Sequence, residues 1–213
     1  MSDDLPEDHA MRRETADECI VDTVPDGYFD DAAPILVVSG PAGCGKTAVA
    51  TTIARDRGWD FAEADDYHPQ ANIEKMAAGI PLTDDDRWGW LDALAAWMRE
   101  HVEHRRPAVL TCSALKRIYR DRLRMPGVVF VYLDGDYETV MALLARRHGH
   151  FMKPAMLASQ FAILEPPGPD EVHISIDLGR HPTLEQEAHA VIRALRLDEC
   201  PAGERGDVQG REA

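Results

Sequence analysis

Ile35-Leu36-Val37-Val38-Ser39, followed at once by Gly40-Pro41-Ala42-Gly43-Cys44-Gly45-Lys46-Thr47, is the stretch on which the fold turns. A continuous apolar run without polar alternation suits a strand buried on both faces of a parallel sheet. The residues from Gly40 to Thr47 match GxxxxGK[ST] in full, and residues 46–57 read as a helix closed by Gly58. The motif therefore stands in the strand, loop and helix context that a phosphate-binding loop requires. Glycines there let backbone N–H groups converge on phosphate oxygens at the positive end of a helix. Lys46 adds a point charge over the β- and γ-phosphates, and the Thr47 hydroxyl can ligate Mg²⁺. A nucleotide and Mg²⁺ are the expected ligands. Cys44 is expected to fill space inside the loop, since no thiol-activating pair lies nearby in the sequence.

Outward from this unit, strand patterns at 60–64, 107–112, 128–134 and 172–177 alternate with helical patterns at 86–104, 116–124, 136–148 and 183–196. Such alternation implies right-handed βαβ units, hence a three-layer α/β fold with a parallel five-stranded sheet. Ligands in such folds bind at the carboxyl ends of the strands.

Composition narrows the function classes. With 45% hydrophobic and 29% charged residues the chain is globular rather than disordered. Its net charge of -15 argues against a nucleic-acid partner, because a phosphate backbone would be repelled. That charge is concentrated at the ends. Residues 1–33 hold 11 acidic side chains and two arginines, and residues 198–213 hold five acids and two arginines, leaving the middle nearly balanced. Residues 1–33 are expected to be a flexible acidic extension, 34–197 the folded domain, and 198–213 a flexible tail. No apolar run approaches the roughly 20 residues of a membrane span, and the first residues lack a signal-peptide pattern. Four scattered cysteines without metal-ligand spacing suit a reduced, cytoplasmic protein.

The phosphate loop specifies a nucleotide but not a reaction. No NKxD tetrapeptide is present to read guanine. Asp134, after the apolar run Val128 to Leu133, offers the Walker B acid of an ATPase, although the chain then passes directly into a helix. A different acid is more informative. Asp65 follows a short strand, so it faces the nucleotide end of the sheet, where a carboxylate could accept a proton from an attacking hydroxyl or orient Mg²⁺ through water. Asp84, Asp85 and Asp86 read either as first-turn acids of a helix or as Mg²⁺ or substrate contacts. Lys116, Arg117 and Arg120 follow a strand end and open a helix, which puts cationic donors near the same edge.

Several separate blocks, in order, resemble gluconokinases, the small P-loop sugar-acid kinases related to shikimate and nucleoside monophosphate kinases. They are the phosphate loop, DDYHPxxNIEKMxxGxPLxDDDRxxWL from Asp65 to Leu91, CSALKRIYRDRLR from Cys112 to Arg124, and GHFM with LxSQFxxLEPP between Gly149 and Pro167. The resemblance covers about residues 35–196. It implies a P-loop kinase fold with a small helical lid at about 146–167, and transfer of the γ-phosphoryl group of ATP to the 6-hydroxyl of D-gluconate. It further implies that Asp65 is the base, that His68, Lys116, Arg120 and Arg87 hold gluconate, and that Arg147 in the lid neutralises the moving phosphoryl group. Gln160 would contact substrate or lock the lid. A second lid arginine common in the family is Leu143 here, with Arg146 as a substitute. The resemblance also implies a homodimer. Rival readings are a kinase for another small acid or polyol such as shikimate, and a catalytically silent nucleotide-binding module.

Overall fold

Strand β2 (Ile35–Ser39) shows how the layers arise. All five residues are buried, and successive side chains take opposite faces of the sheet. Leu36 and Val38 join one apolar cluster, Ile35 and Val37 another. In the computed structural model the described residues are 20–145, 154–180 and 183–199. The remaining elements are β1 (Ile20–Asp22), α1 (Lys46–Arg57), β3 (Asp60–Glu63), a 3₁₀ turn (Ala64–Tyr67), α2 (Gln70–Ala77), α3 (Asp84–Glu103), β4 (Ala108–Thr111), α4 (Arg117–Leu123), β5 (Val128–Asp134), α5 (Tyr137–Ala145), α6 (Pro154–Ile163), β6 (His173–Asp177), α7 (Leu184–Ala194) and a 3₁₀ turn (Leu197–Glu199).

The strand order is β1-β6-β5-β2-β4-β3. From β6 to β3 every pairing is parallel, with Val37 opposite Leu110 on one side and Phe130 on the other. Helices α1 and α7 cover one face through Val49, Ile53, Ala188 and Val191. Helices α3 and α4 cover the other through Leu91, Leu94, Met98, Tyr119 and Leu123. Burying each such Leu or Val contributes about 1.5–3 kcal/mol, so the two apolar layers clamp the sheet that carries the phosphate loop. Among the described residues no helix is long and apolar enough to cross a membrane.

The sheet has six strands rather than the expected five. The additional one, β1, lies within the segment expected to be an extension, and it pairs antiparallel with β6, Val21 opposite Ser175. The Thr23 hydroxyl donates to the Glu171 carbonyl at 2.6 Å and accepts from the His173 N–H at 2.9 Å. The Tyr28 hydroxyl donates to the Val128 carbonyl at 3.1 Å. Residues 20–33 thus belong to the folded unit, because β6 would otherwise be an unpaired edge. Residues 1–19 and 200–213 lie outside the described residues. At the other terminus, Arg57 pairs with Asp198 at 3.0 Å.

Candidate active site

The phosphate loop runs from the carboxyl end of β2 into α1, and its glycines are required by the backbone. Gly43 has φ +86° and Gly45 has φ +105°, a region that side chains rarely adopt. A Cβ at Gly43 would lie 2.4 Å from Leu144 of α5, and one at Gly45 2.5 Å from Leu184 of α7. A side chain at either position would therefore collide with the helix beside the loop. Cys44 is wholly buried against the apolar layer, the space-filling placement expected of it. Lys46 Nζ donates to the Pro41 carbonyl at 2.9 Å, which folds its ammonium back over the loop.

Thr47 meets a residue that the sequence reading missed. Its hydroxyl donates at 2.9 Å to Glu63, the last residue of β3, whose other carboxylate oxygen accepts from the Thr111 hydroxyl at the end of β4. Three strand and helix ends thus join two hard oxygen donors, the kind of pair that suits Mg²⁺. Asp134, the alternative acid, stands instead at the end of β5 opposite Asp177, and its pKa is raised by partial burial and by the carboxylates of Asp177 and Asp136. Although β5 and not β3 is the strand adjacent to β2, the Thr47 hydrogen bond favours Glu63. Its position two residues before Asp65 was a signal available in the sequence.

Asp65 sits in the 3₁₀ turn after β3, exposed. Trp90 of α3 anchors this turn, its indole N–H donating to the Ala64 carbonyl at 2.7 Å. The same indole stacks on His68, with ring centroids 4.4 Å apart and planes 12° apart. Burial lowers the His68 pKa, opposed by Asp65 and reinforced by Arg87, so the imidazole is neutral at physiological pH. Cys112 follows β4 directly and is buried. Burial pushes its thiol up to about 12, while Lys46, Asp65 and Arg87 all act on it electrostatically. All three charges are thus within electrostatic reach of the residue that follows β4.

Lys116 ends the turn that leaves β4, a turn containing Ala114 in the left-handed region at φ +40°. Its ammonium contacts both oxygens of Asp84 at 2.7 and 2.8 Å and lies 5.7 Å from the Tyr119 ring centroid. Arg87 stacks over the same ring at 5.6 Å. Its Nε is buried without a hydrogen-bond partner among the described residues. Burial, and then the hydrogen bond to Asp84, raises the pKa of the Tyr119 hydroxyl, which stays protonated and donates to Asp84 at 2.5 Å. Two of the three acids at the start of α3 thus have separate tasks. Asp84 holds Lys116. Asp86 closes a capping box with Thr83 and pairs with Lys75 at 2.5 Å, contacts that hold its pKa at about 2.

Arg120 corrects the expectation that it holds substrate. It is 2% exposed. Its Nε and Nη2 donate to the Glu171 carboxylate at 2.6 and 2.9 Å, and Nη1 donates to the carbonyls of Ala114 at 3.1 Å and Glu165 at 2.7 Å. Four hydrogen bonds to protein acceptors make it an internal brace that ties the turn before Lys116 to the chain leaving α6. In the lid region, Gln160 Oε1 accepts from the Ala42 N–H at 2.7 Å, so α6 is latched to the phosphate loop. Arg146 and Arg147 lie outside the described residues. Leu143, in α5, packs against the apolar layer. A separate cleft of about 620 Å³ at the start of β3, lined by Trp59, Trp97 and His101, is remote from the strand carboxyl ends, and its Asp60 is already paired with His101 and Arg106.

A phosphate loop facing a carboxylate and a cluster of cations across the strand ends defines a P-loop kinase of small-molecule acceptors. The Shikimate kinase family model matches residues 42–163. A gluconokinase of Gluconobacter oxydans is 50% identical over 150 residues, covering 69% of this chain and 84% of its own. A sugar kinase from Janibacter, solved unliganded, is 44% identical with a TM-score of 0.72, covering 80% of this chain and 97% of its own. A gluconokinase from Sinorhizobium meliloti is 38% identical with a TM-score of 0.66, covering 78% and 97%. The chain belongs to the gluconokinase family of P-loop kinases.

Proposed function

We propose that the protein transfers the γ-phosphoryl group of ATP to the 6-hydroxyl of D-gluconate, giving 6-phosphogluconate and ADP. The observation that carries this reading is a chain of contacts beside Asp65: Asp65 and Arg87 both act on His68, and Arg87 shares the Tyr119 ring with Lys116. Gluconate is an anion with several hydroxyls. Lys116 and Arg87 match its carboxylate, and His68 matches a hydroxyl. Lys116 reaches the ligand by exchanging its bond with Asp84, which costs little because the Lys116 and Asp84 side chains are 23% and 42% exposed.

The reaction forms one O–P bond and breaks another, and the hydroxyl proton must leave. Asp65 takes or orients that proton, its carboxylate being without a protein partner among the described residues. Lys46 swings from the Pro41 carbonyl to the transferred group, and the loop N–H groups hold the β-phosphate. Thr47 and Glu63 would hold Mg²⁺, which supplies charge neutralisation on the phosphates when bound. Gln160 fixes α6 against the loop, and the resemblance to gluconokinases supports a role for Arg147 in neutralising the transferred group. Most of the acceleration comes from positioning and electrostatics.

A coupled assay with ATP and a panel of gluconate, shikimate and a nucleoside monophosphate tests the reading. Turnover with gluconate and not with the others is expected; clear turnover with shikimate alone would overturn it. A cytoplasmic homodimer completes the proposal, and light scattering on the full chain measures its assembly.

A further inference from the structure

Asn72 is 3% exposed in α2, a helix with Asn72 as its buried residue. Its side-chain amide nitrogen donates to the Asp86 carbonyl at 2.7 Å. A carbonyl can only accept, so this contact settles which end of the amide is nitrogen. The same nitrogen lies 3.4 Å from His68 Nδ1. An NH₂ group has two protons, one for each neighbour, and a nitrogen that faces a donor must present its lone pair. His68 Nδ1 is therefore unprotonated, and the ring proton of the neutral imidazole sits on Nε2. That nitrogen has no protein partner among the described residues and retains solvent access.

The support extends outward from this pair. Asp86 is itself locked by the Thr83 capping box and by Lys75, so the carbonyl that orients Asn72 belongs to a rigid helix start. Trp90 fixes the plane of the ring by stacking and is pinned to Ala64. Plane, tautomer and direction of the His68 N–H are each determined by a different neighbour.

We propose that Asn72 is a positioning residue for phosphoryl transfer: it holds His68 as the neutral Nε2–H tautomer, so that His68 donates to a hydroxyl oxygen of the acceptor and cannot accept from one. The proposal rests on the gluconate reading for the identity of the acceptor, but the tautomer does not. A polyhydroxy acceptor offers each hydroxyl as donor or acceptor, and a fixed donor at His68 obliges the contacted hydroxyl to turn its own proton elsewhere. Such a contact selects an oxygen with a lone pair aimed at His68, and it excludes a cationic group there.

The test is long-range ¹H–¹⁵N NMR of the full chain labelled in its histidine nitrogens, recorded without substrates, with His68→Gln identifying the His68 signals. The expected pattern is a pyridine-like Nδ1 and a pyrrole-like Nε2. Asn72→Asp places an acceptor at Nδ1 and is expected to reverse that pattern, raise the KM for gluconate by about tenfold, and leave the KM for ATP unchanged. An Nδ1–H signal in the unmodified protein overturns the proposal, as does a reversed tautomer in Asn72→Asp with unchanged gluconate KM. If Asn72→Asp does not fold, the spectrum of the unmodified protein decides alone. A protein with the Nε2–H pattern but no gluconate turnover would remove the acceptor assignment and leave the tautomer in place.

Discussion

Replacing Arg120 by methionine separates a structural arginine from a substrate-binding one. The Arg120 and Glu171 side chains are 2% and 4% exposed. Removing one partner of a buried pair leaves the other charge uncompensated, at a cost of about 3–5 kcal/mol. Glu171 would retain the Gly168 N–H at 2.9 Å, which favours the lower end, about 3 kcal/mol. In a chain of this size each kcal/mol shifts Tm by about 2–4 °C, so Arg120→Met should melt about 6–12 °C lower. Calorimetry measures the shift, and gluconate kinetics well below the new Tm measure any loss of binding. The double variant Arg120→Met with Glu171→Leu should lose less than the two singles summed, because no unpaired charge remains. An unshifted Tm together with a gluconate KM raised about tenfold would refute the reasoning and return Arg120 to the ligand. The same pair has a pH signature. Burial alone would raise the Glu171 pKa, but the Arg120 and Gly168 hydrogen bonds outweigh it and the net shift is downward. Its stabilisation is therefore present above the ordinary carboxylate range and is lost as pH falls through the lower folded value, a loss that Arg120→Met should largely abolish.

Asp65→Asn should cut turnover by about 10²- to 10⁴-fold while leaving ATP affinity intact; equal losses of both would make Asp65 a nucleotide-site or folding residue. Glu63→Gln should raise the Mg²⁺ concentration needed for half-maximal activity by about tenfold or more, and an unchanged Mg²⁺ titration would remove Glu63 from the metal site. Glu187 of α7 is 2% exposed, and burial pushes it up to about 8, so the folded carboxyl is protonated at neutral pH. Stability should then decline between about pH 4 and pH 8, since the unfolded chain is already ionised there and the folded one is not. Glu187→Gln should melt above the unmodified protein at pH 8 and close to it at pH 4; the same Tm difference at both would show that ionisation is not involved.

What the sequence made legible was local. The apolar run from Ile35 and the glycines after it are adjacent, so strand, loop and helix could be read together, and the helical pattern at 86–104 fell within two residues of the start of α3. What stayed hidden depended on partners far along the chain. Strand β1 is three residues long and exists only because β6, some 150 residues later, offers it an edge. Glu63 and Asp134 are both acids at strand ends, and although β5 is the neighbour of β2, it is Glu63 at the end of β3 that the Thr47 hydroxyl meets. Lys116 and Arg120 looked equivalent, two cations four residues apart at the start of one helix. Each has a carboxylate partner, so charge does not distinguish them; access to water does. At Lys116, solvent reaches both members of the pair, and a ligand carboxylate can replace Asp84 with little loss. At Arg120, the same exchange would strand Glu171 in the interior. Which cation can serve an anionic substrate is thus decided by the burial of its counter-charge, a property contributed by residue 171 and invisible in the helix that carries residue 120.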